Sequence, residues 1–152
     1  MKERILVTGG AGFIGSHTCV ELLGAGYEIV VVDDYSNSKP EALDAVREIA
    51  GRDFPVYRGD IRNGALLDEI FAAHAISAAV HFAGWKAVGE SVQKPLAYYD
   101  NNVGGAISLF QAMQRANCKT AVFSSSATVY GLNNPSPYVE HFATSACNPY
   151  GQ

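Results

Sequence analysis

Short runs of apolar, mostly β-branched residues alternate along the chain with longer stretches in which apolar residues recur every three or four positions. The short runs predict five β-strands and the longer stretches predict helices between them. The predicted strands cover residues 4–8, 28–33, 54–58, 78–82 and 120–124. The positions that mark the four helices are Ile14, Thr18, Cys19, Leu22 and Leu23; Leu43, Val46 and Ile49; Leu66, Leu67, Ile70 and Phe71; and Tyr99, Val103, Ile107 and Phe110.

A repeated strand–helix order is typical of an α/β fold in which a parallel sheet carries helices on both faces. The chain is therefore predicted to form a Rossmann-type doubly wound parallel sheet. Ligands of such sheets bind at the carboxyl ends of the strands, where the strand order reverses. The loops that follow the predicted strands are the expected place for chemistry.

The stretch from 132 to 149 differs from the rest, because it holds three of the six prolines and few apolar residues. It predicts an irregular loop, after which a helix is expected to begin at Tyr150. A five-stranded doubly wound sheet without a closing helix would leave apolar surface bare. We therefore expect residues 1–152 to form one incomplete domain, truncated before the last strands and before a substrate-binding part.

A glycine-rich turn joins the first strand to the first helix. Gly9 permits the tight turn, Gly12 lets a pyrophosphate approach the backbone, and Gly15 lets the helix pack closely on the sheet. The N–H groups of Phe13 and Ile14, at the positive end of the helix dipole, would bind the anion. A structural turn without a ligand is the alternative.

The end of the second strand narrows the choice of ligand. Asp33 lies 18 positions after Gly15, which is where a carboxylate accepts hydrogen bonds from the adenosine ribose. The same carboxylate would repel a 2′-phosphate, so NAD is predicted rather than NADP.

Two further loops contain candidate cofactor contacts. Asp60 would accept from the adenine amino group, with Ile61 against the ring, although Asp60 also suits the N-cap of the third helix. In the run from Phe82 through Ala83, Gly84 and Trp85 to Lys86, the small residues leave room for the cofactor. Lys86 either reaches a phosphate or is an ordinary surface lysine.

Hydroxyl groups follow the fifth strand at 124–126 and 128, where a nicotinamide would lie, and Tyr150 is a second candidate. A serine–tyrosine pair there favours proton transfer coupled to hydride transfer. Because a free tyrosine has a pKa of about 10, it needs a nearby cation to act as a base at neutral pH. Tyr150 is otherwise an ordinary packing residue.

Composition excludes several classes of partner. A net charge of −4 without a basic run argues against nucleic acid, and no apolar stretch is long enough to span a membrane. The three cysteines Cys19, Cys118 and Cys147 form no CxxC pair, so no metal site or disulfide is predicted. Together with the lack of a signal peptide, they favour a cytoplasmic protein.

Several runs of residues resemble the extended short-chain dehydrogenases/reductases, and within them the amino-terminal half of the UDP-glucose 4-epimerases. The resemblance covers the whole chain and is most specific at 86–91, with the sequence KAVGES. The runs that carry it are 7–18, 59–63, 81–84, 86–95, 98–102 and 123–131.

The resemblance implies NAD-dependent 4-epimerisation of a UDP-hexose, UDP-glucose to and from UDP-galactose, through a 4-keto intermediate. Tyr150 would remove the proton from the sugar 4′-hydroxyl, and Ser126 would hydrogen-bond the same oxygen. The substrate contacts would be Lys86, Ser126 and Tyr150. The NAD contacts would be Gly9, Gly12, Phe13, Ile14, Gly15, Asp33, Asp34, Tyr35, Ser36, Asn37, Ser38, Asp60, Ile61, Phe82, Ala83, Gly84, Trp85, Lys86, Asn101, Ser124 and Tyr150.

Differences from the family pattern limit these expectations. Related dehydratases place an acidic pair after the catalytic hydroxyl, whereas Ser126 is followed by Ala127 and Thr128, which disfavours elimination. Trp85 stands where the epimerases usually have a smaller aliphatic residue. The family lysine four positions after Tyr150 lies beyond Gln152, so the 152 residues alone are expected to be inactive.

Two alternatives stay open at this point. One is a 4-epimerase of another UDP-sugar, such as UDP-N-acetylglucosamine or UDP-glucuronate. The other is a non-catalytic NAD-binding module. The resemblance also implies that the full-length protein is a homodimer, assembled through the fourth helix around 98–116 and the helix after Tyr150.

Overall fold

A five-stranded parallel sheet forms the centre of the computed structural model, which describes residues 3–152. The strand order is β3-β2-β1-β4-β5, so the order reverses between β1 and β4. This confirms the predicted doubly wound α/β sheet. The strands are β1 (Arg4–Thr8), β2 (Glu28–Asp33), β3 (Val56–Arg58), β4 (Ile76–His81) and β5 (Thr120–Phe123).

Strand bounds match the prediction best where the strand is buried on both faces. β1 and β2 begin and end as predicted, because an unbroken apolar run is typical of a central parallel strand. β3 is two residues shorter at its start, and β4 begins and ends earlier than predicted. The helices are α1 (Phe13–Gly24), α2 (Glu41–Ala50), α3 (Gly64–Ala73), α4 (Val88–Gln93), α5 (Pro95–Tyr98) and α6 (Gly105–Arg115).

The sheet is covered on both faces by apolar side chains. Leu6, Val30 and Val32 pack with residues of α3 and α6 on one face. Val7 and Val31 pack with residues of α1 and α2 on the other. Neighbouring residues of one strand point to opposite faces, so each central strand contributes to both parts of the core.

The predicted helix faces are only partly correct. Cys19, Leu23, Leu43 and Val46 are buried as expected. Ile14 and Ile49, however, are 51% and 70% exposed. The stripe that marked the fourth helix is also exposed, at Tyr99, Val103, Ile107 and Phe110. The buried residues of α6 are instead Gly105, Leu109, Ala112 and Met113. Helical periodicity shows that a helix has an apolar face, but the neighbouring elements determine which face of the helix is buried.

The described residues divide into two compact units. The first contains the sheet and comprises the residues up to Ala83 together with Gly105–Ser124. The second comprises Gly84–Gly104 and Ser125–Gln152. It holds α4, α5, a π-helical segment at Tyr99–Gly104 and a 3₁₀ helix at Ala127–Tyr130.

The tail is irregular after Gly131, as the prolines predicted. At Tyr150 the chain forms a turn in which the N–H groups of Gly151 and Gln152 donate to the carbonyl of Asn148, at 3.1 and 3.2 Å. No helix within residues 3–152 combines the length and apolar character that a membrane crossing requires. The same residues contain no group of three or more His, Cys, Asp or Glu side chains suited to a metal ion.

Candidate active site

The turn after β1 requires glycine at its first position. Gly9 has a φ of +68°, in the left-handed region, and a Cβ there would lie 2.6 Å from the backbone nitrogen of Ala83. The Gly9 N–H donates to the carbonyl of Val32 at 2.9 Å. The turn is therefore held between the carboxyl ends of β2 and β4, where no side chain fits.

The other two glycines of the turn have different roles. A Cβ at Gly15 would lie 2.2 Å from the Gly9 carbonyl oxygen. This close approach is made to the turn itself, whereas the sequence interpretation had Gly15 packing against the sheet. A Cβ at Gly12 would meet only that same oxygen, at 3.3 Å. Gly10, which sequence reasoning missed, packs against the side chain of Val31.

The start of α1 is open to an anion. Gly12 is the N-cap and has no side chain to accept from the first-turn N–H groups, and the first turn contains no acidic residue. The Phe13 and Ile14 side chains stand out from it, with Phe13 76% exposed. A bare helix N-terminus beside a space that a Cβ would fill fits a diphosphate. The turn therefore fits the phosphates of a dinucleotide.

Asp33 connects the end of β2 to this turn. Its Oδ2 accepts from the N–H of Ala11 at 2.9 Å. Its Oδ1 accepts from the N–H of Tyr35 at 2.9 Å and from the hydroxyl of Ser38 at 2.7 Å. Each carboxylate oxygen has two lone pairs, so Oδ2 retains one position for a ligand hydroxyl. Asp33 thus shapes the turn as well as offering the acceptor that the sequence predicted.

The residues that follow Asp33 form a loop that is held by side-chain contacts. The Asp34 carboxylate accepts from the N–H of Ser36 at 2.8 Å. Tyr35 has a φ of 59°, and the Arg58 guanidinium lies 5.8 Å from its ring centre. Ser36 and Asn37 are exposed. The hydroxyl of Ser38 is already used by Asp33, which makes Ser38 a residue that fixes the loop.

The Asp60 carboxylate is bound by a neighbouring arginine. Its carboxylate binds the backbone and guanidinium N–H groups of Arg62, at 2.8 Å and 2.5–3.0 Å. The side-chain hydrogen bond from Arg62 lowers the pKa of Asp60. Asn63, not Asp60, caps α3 by accepting from the N–H of Leu66 at 3.2 Å. The N-cap alternative for Asp60 is therefore wrong.

The Ile61 side chain points into the core. It is buried with the residues of α3 and α6, and its Cδ1 lies where it would meet a Cβ at Gly105, 2.6 Å away. The core therefore encloses most of this side chain, and the contact of Ile61 with an adenine ring stays a prediction.

A buried polar pair that sequence reasoning missed lies at the ends of β1 and β4. The hydroxyl of Thr8 is 2.6 Å from Nδ1 of His81, and it accepts from the N–H of Ala83 at 3.3 Å. Burial lowers the pKa of His81 to about 4, so the ring is neutral at pH 7. The Thr8 hydroxyl and Nδ1 of this neutral ring share one hydrogen bond, whose direction follows from the ring tautomer. A histidine in an otherwise apolar strand was the available signal.

The strand ends of the first unit meet at one edge of the sheet, as the parallel order requires. Phe82 and Ala83 follow β4 there, and the Phe82 N–H donates to the Thr8 carbonyl at 3.0 Å. Ser124 follows β5 and is exposed. Its N–H donates to the His81 carbonyl at 3.2 Å. The structure thus brings the glycine turn, Asp33, Ala83 and Ser124 to the same edge.

In the second unit, the segment around Lys86 is held by side chains of the helices that follow. Trp85 and the buried Tyr98 make an edge-to-face ring contact with centres 5.5 Å apart. Asn101 is buried and donates from Nδ2 to Oδ1 of Asn102 at 2.9 Å. Gly84 and Lys86 are exposed. Sequence reasoning selected Asn101 but missed Tyr98 and Asn102.

Ser126 and Tyr150 belong to segments of the second unit that pack together. Ser126 caps the 3₁₀ helix, where its hydroxyl accepts from the N–H and the hydroxyl of Thr128 at 3.3 and 3.0 Å. Gly151, next to Tyr150, lies so close to Thr128 that an added Cβ would be 2.9 Å from the Thr128 carbonyl oxygen. Tyr150 and Ser126 are both half-buried.

Comparisons with known proteins agree with this geometry. The model of the NAD dependent epimerase/dehydratase family matches residues 5–152. A UDP-glucose 4-epimerase of Bacillus subtilis is 57% identical over 148 residues, which are 97% of this chain and 44% of that protein. The chain therefore spans less than half the length of this curated relative.

Two solved structures are similar in fold and sequence. A UDP-glucose 4-epimerase from Bifidobacterium longum in complex with NAD⁺ and UDP superposes with a TM-score of 0.95 at 50% identity. One from Stenotrophomonas maltophila with bound NAD and formylated UDP-arabinopyranose gives a TM-score of 0.94 at 45% identity. The matches cover 97% and 98% of this chain, and 44% of each of those chains.

Proposed function

Because the chain belongs to the NAD-dependent epimerase/dehydratase family, we propose that it supplies the NAD-binding part of an enzyme that interconverts UDP-glucose and UDP-galactose. The observation that carries the proposal is the 57% identity to a UDP-glucose 4-epimerase over nearly the whole chain. The open, side-chain-free turn between Gly9 and Gly15 supports it, because that turn fits a dinucleotide phosphate.

NAD would be held in the first unit by the turn, by Asp33 and by the residues after β4 and β5. Asp33 offers one unused lone pair on Oδ2 to a ribose hydroxyl, and its charge disfavours a 2′-phosphate. When bound, the nicotinamide supplies a hydride acceptor and donor. Lys86, Asn101 and Tyr150 in the second unit are proposed as further contacts.

Tyr150 and Ser126 would do the proton chemistry on the sugar 4′-hydroxyl. The Tyr150 phenolate takes the proton from that hydroxyl, and Ser126 hydrogen-bonds the same oxygen. The packing of Gly151 on Thr128 supports this pairing, since it joins the two segments within one unit. Tyr150 would return the proton to the same oxygen as C4′ regains its hydride on the opposite face, so the sugar undergoes no net oxidation or reduction.

The test is made on the full product of the gene, purified and checked for folding and for bound NAD. We expect it to convert UDP-glucose to UDP-galactose without added NAD, while Tyr150→Phe and Ser126→Ala lower kcat at least a hundredfold. A folded, NAD-loaded protein that leaves UDP-glucose unchanged would overturn the proposal. UDP-N-acetylglucosamine and UDP-glucuronate are assayed in parallel to determine which sugar nucleotide is preferred.

We also propose that the full-length protein is a homodimer, that it is cytoplasmic, and that residues 1–152 are part of a larger domain. Exposed apolar side chains on α6 support a dimer, and the buried, unpaired thiols of Cys19 and Cys118 support a reducing compartment. The 44% coverage of relatives supports a domain completed by further chain.

A further inference from the structure

The backbone on both sides of Lys86 is fixed by side chains. Before Lys86, Trp85 donates its N–H to Oδ1 of Asn102 and accepts from Nδ2 of Asn102 at its carbonyl, both at 2.8 Å. One asparagine thus satisfies both polar backbone groups of a single residue, as a neighbouring β-strand would. After Lys86, the Ala87 N–H donates to the hydroxyl of Tyr98 at 3.2 Å.

Tyr98 is itself held in place. Its hydroxyl donates to the Glu90 carboxylate at 3.0 Å, and Glu90 forms a 3.0 Å ion pair with Lys94. Burial and the hydrogen bond to Glu90 raise the pKa of Tyr98, so the phenol keeps its proton at neutral pH. Asn102 in turn receives a hydrogen bond from Asn101. Both asparagines lie in the π-helical segment, a conformation that often occurs at functional sites.

Trp85 is half-buried, and the hydrogen bonds from Asn102 to its backbone are partly shielded from water. Gly84, Lys86 and Ala87 are exposed, and water satisfies exposed backbone groups equally well. What the side chains of Asn102 and Tyr98 add is a single conformation of the backbone at 85–87. That conformation sets the direction in which the Lys86 side chain leaves the chain.

Lys86 has a charge without a partner in the part of the chain that the structure describes, since none of the ion pairs among residues 3–152 includes it. A free lysine loses up to about 2 kcal/mol of side-chain entropy when it is ordered. Fixing its backbone beforehand lowers the further cost of binding an anion.

We propose that Asn102 and Tyr98 are positioning residues that orient Lys86 toward an anionic group of the bound nucleotide. The inference rests on the proposed function, because it assumes that Lys86 contacts NAD.

A double-mutant cycle on the full gene product tests this coupling. NAD affinity is measured by titration calorimetry of cofactor-free protein carrying Lys86→Met, Asn102→Ala, Tyr98→Phe and the two pairs with Lys86→Met. We expect Lys86→Met to weaken NAD binding about tenfold or more. Asn102→Ala and Tyr98→Phe should each weaken it roughly threefold to tenfold. Each pair should bind NAD no more weakly than Lys86→Met alone.

Asn134→Ala is the matched control. Asn134 also donates hydrogen bonds to two backbone carbonyls of the second unit, those of Tyr130 and Ala143, at 2.9 and 3.0 Å. Neither of these hydrogen bonds involves the segment 85–87. Asn134→Ala should leave NAD affinity unchanged. Tyr98→Phe keeps the ring that packs on Trp85, so it remains informative if Asn102→Ala does not fold.

Three results would overturn the proposal. The first is that Asn102→Ala and Tyr98→Phe bind NAD as the parent does. The second is that their losses of affinity multiply with that of Lys86→Met. The third is that Lys86→Met alone leaves NAD affinity unchanged. In each case UDP-glucose conversion by the parent protein shows that the proposed function stands. If the folded parent binds no NAD, both proposals fall.

Discussion

Asp33 shows how one residue can serve both the fold and a ligand. The sequence placed a carboxylate at the end of β2 and predicted a contact to ribose. The structure adds that the same carboxylate accepts three hydrogen bonds from within the chain, one of them from the glycine turn. Such bonds to a charged group contribute about 1.5–3 kcal/mol each. Asp33 therefore holds the turn in the conformation that a diphosphate needs.

His81 leads to a prediction about pH. Burial lowers its pKa from 6.5 to about 4 in the folded chain, so in this range the unfolded chain binds the proton more tightly. Above about pH 6.5 His81 therefore costs the protein no stability. As the pH falls from 6.5 to 4, protonation of His81 in the unfolded chain lowers the free energy of unfolding by about 3 kcal/mol in total. Urea unfolding of the parent and of His81→Asn at pH 7 and pH 4 measures the difference.

The asparagine variant does not titrate but still offers an acceptor to Thr8. Its loss of stability between pH 7 and pH 4 should be smaller than that of the parent by about 3 kcal/mol. An equal loss in the two proteins would show that His81 is not the group responsible.

The role of a side chain could be predicted from sequence only where it depends on the place of that residue after a strand, and not on a distant partner. The need for glycine at Gly9 and an acid at Asp33 could be predicted from their places after β1 and β2. The pairing of Thr8 with His81 joins residues 73 positions apart, so a histidine in an apolar run could signal a buried polar group but not its partner. The contact of Asn102 with Trp85 was missed for the same reason, because the two residues are not neighbours in the sequence.

At the scale of the element, the glycine turn allows folding and binding to be separated. A Cβ at Gly12 would meet one atom at 3.3 Å, whereas one at Gly15 would lie 2.2 Å from the Gly9 oxygen. We expect Gly12→Ala to keep its stability within about 1 kcal/mol yet weaken NAD binding at least tenfold, because the added methyl group occupies the phosphate approach. Gly15→Ala should lose about 1–3 kcal/mol through overpacking, and NAD binding with it.

Gly24→Ala provides the control, since a Cβ there has no neighbour within 4 Å and alanine favours a helix. Gly24→Ala should leave NAD affinity unchanged and should not lower the thermal midpoint. Calorimetric titration and thermal unfolding of the three variants give both quantities. If Gly12→Ala binds NAD as the parent does, the diphosphate does not lie over this turn.

The elements themselves were predictable to the extent that their patterns are local. The apolar runs fixed β1 and β2, and Gly24–Gly26 marked the end of α1. The region from α4 to the π-helical segment was missed, because α4 and α5 are too short to show a period. Exposure of Ile49 and Phe110 could not be foreseen, since periodicity shows a stripe but not what covers it.

At the scale of the whole molecule, α6 carries apolar surface that the fold does not cover. Ile107 and Phe110 are 50% and 42% exposed, although Leu109 and Met113 of the same helix are buried in the core. Neighbouring apolar side chains exposed on one helix are typical of a protein–protein interface. The second copy of this chain that the sequence resemblance implies is the simplest partner.

The full gene product is accordingly expected to sediment as a dimer, and a charge placed in this surface should separate the subunits. Ile107→Glu and Phe110→Glu each put a carboxylate where apolar area would be buried, and should shift the protein to monomer at micromolar concentration. Ile49→Glu is the matched control, because Ile49 is 70% exposed on α2, away from α6. It should leave the dimer intact. Dimers that persist in both α6 variants would show that subunits do not meet at this helix, since two buried carboxylates without partners are incompatible with a stable interface.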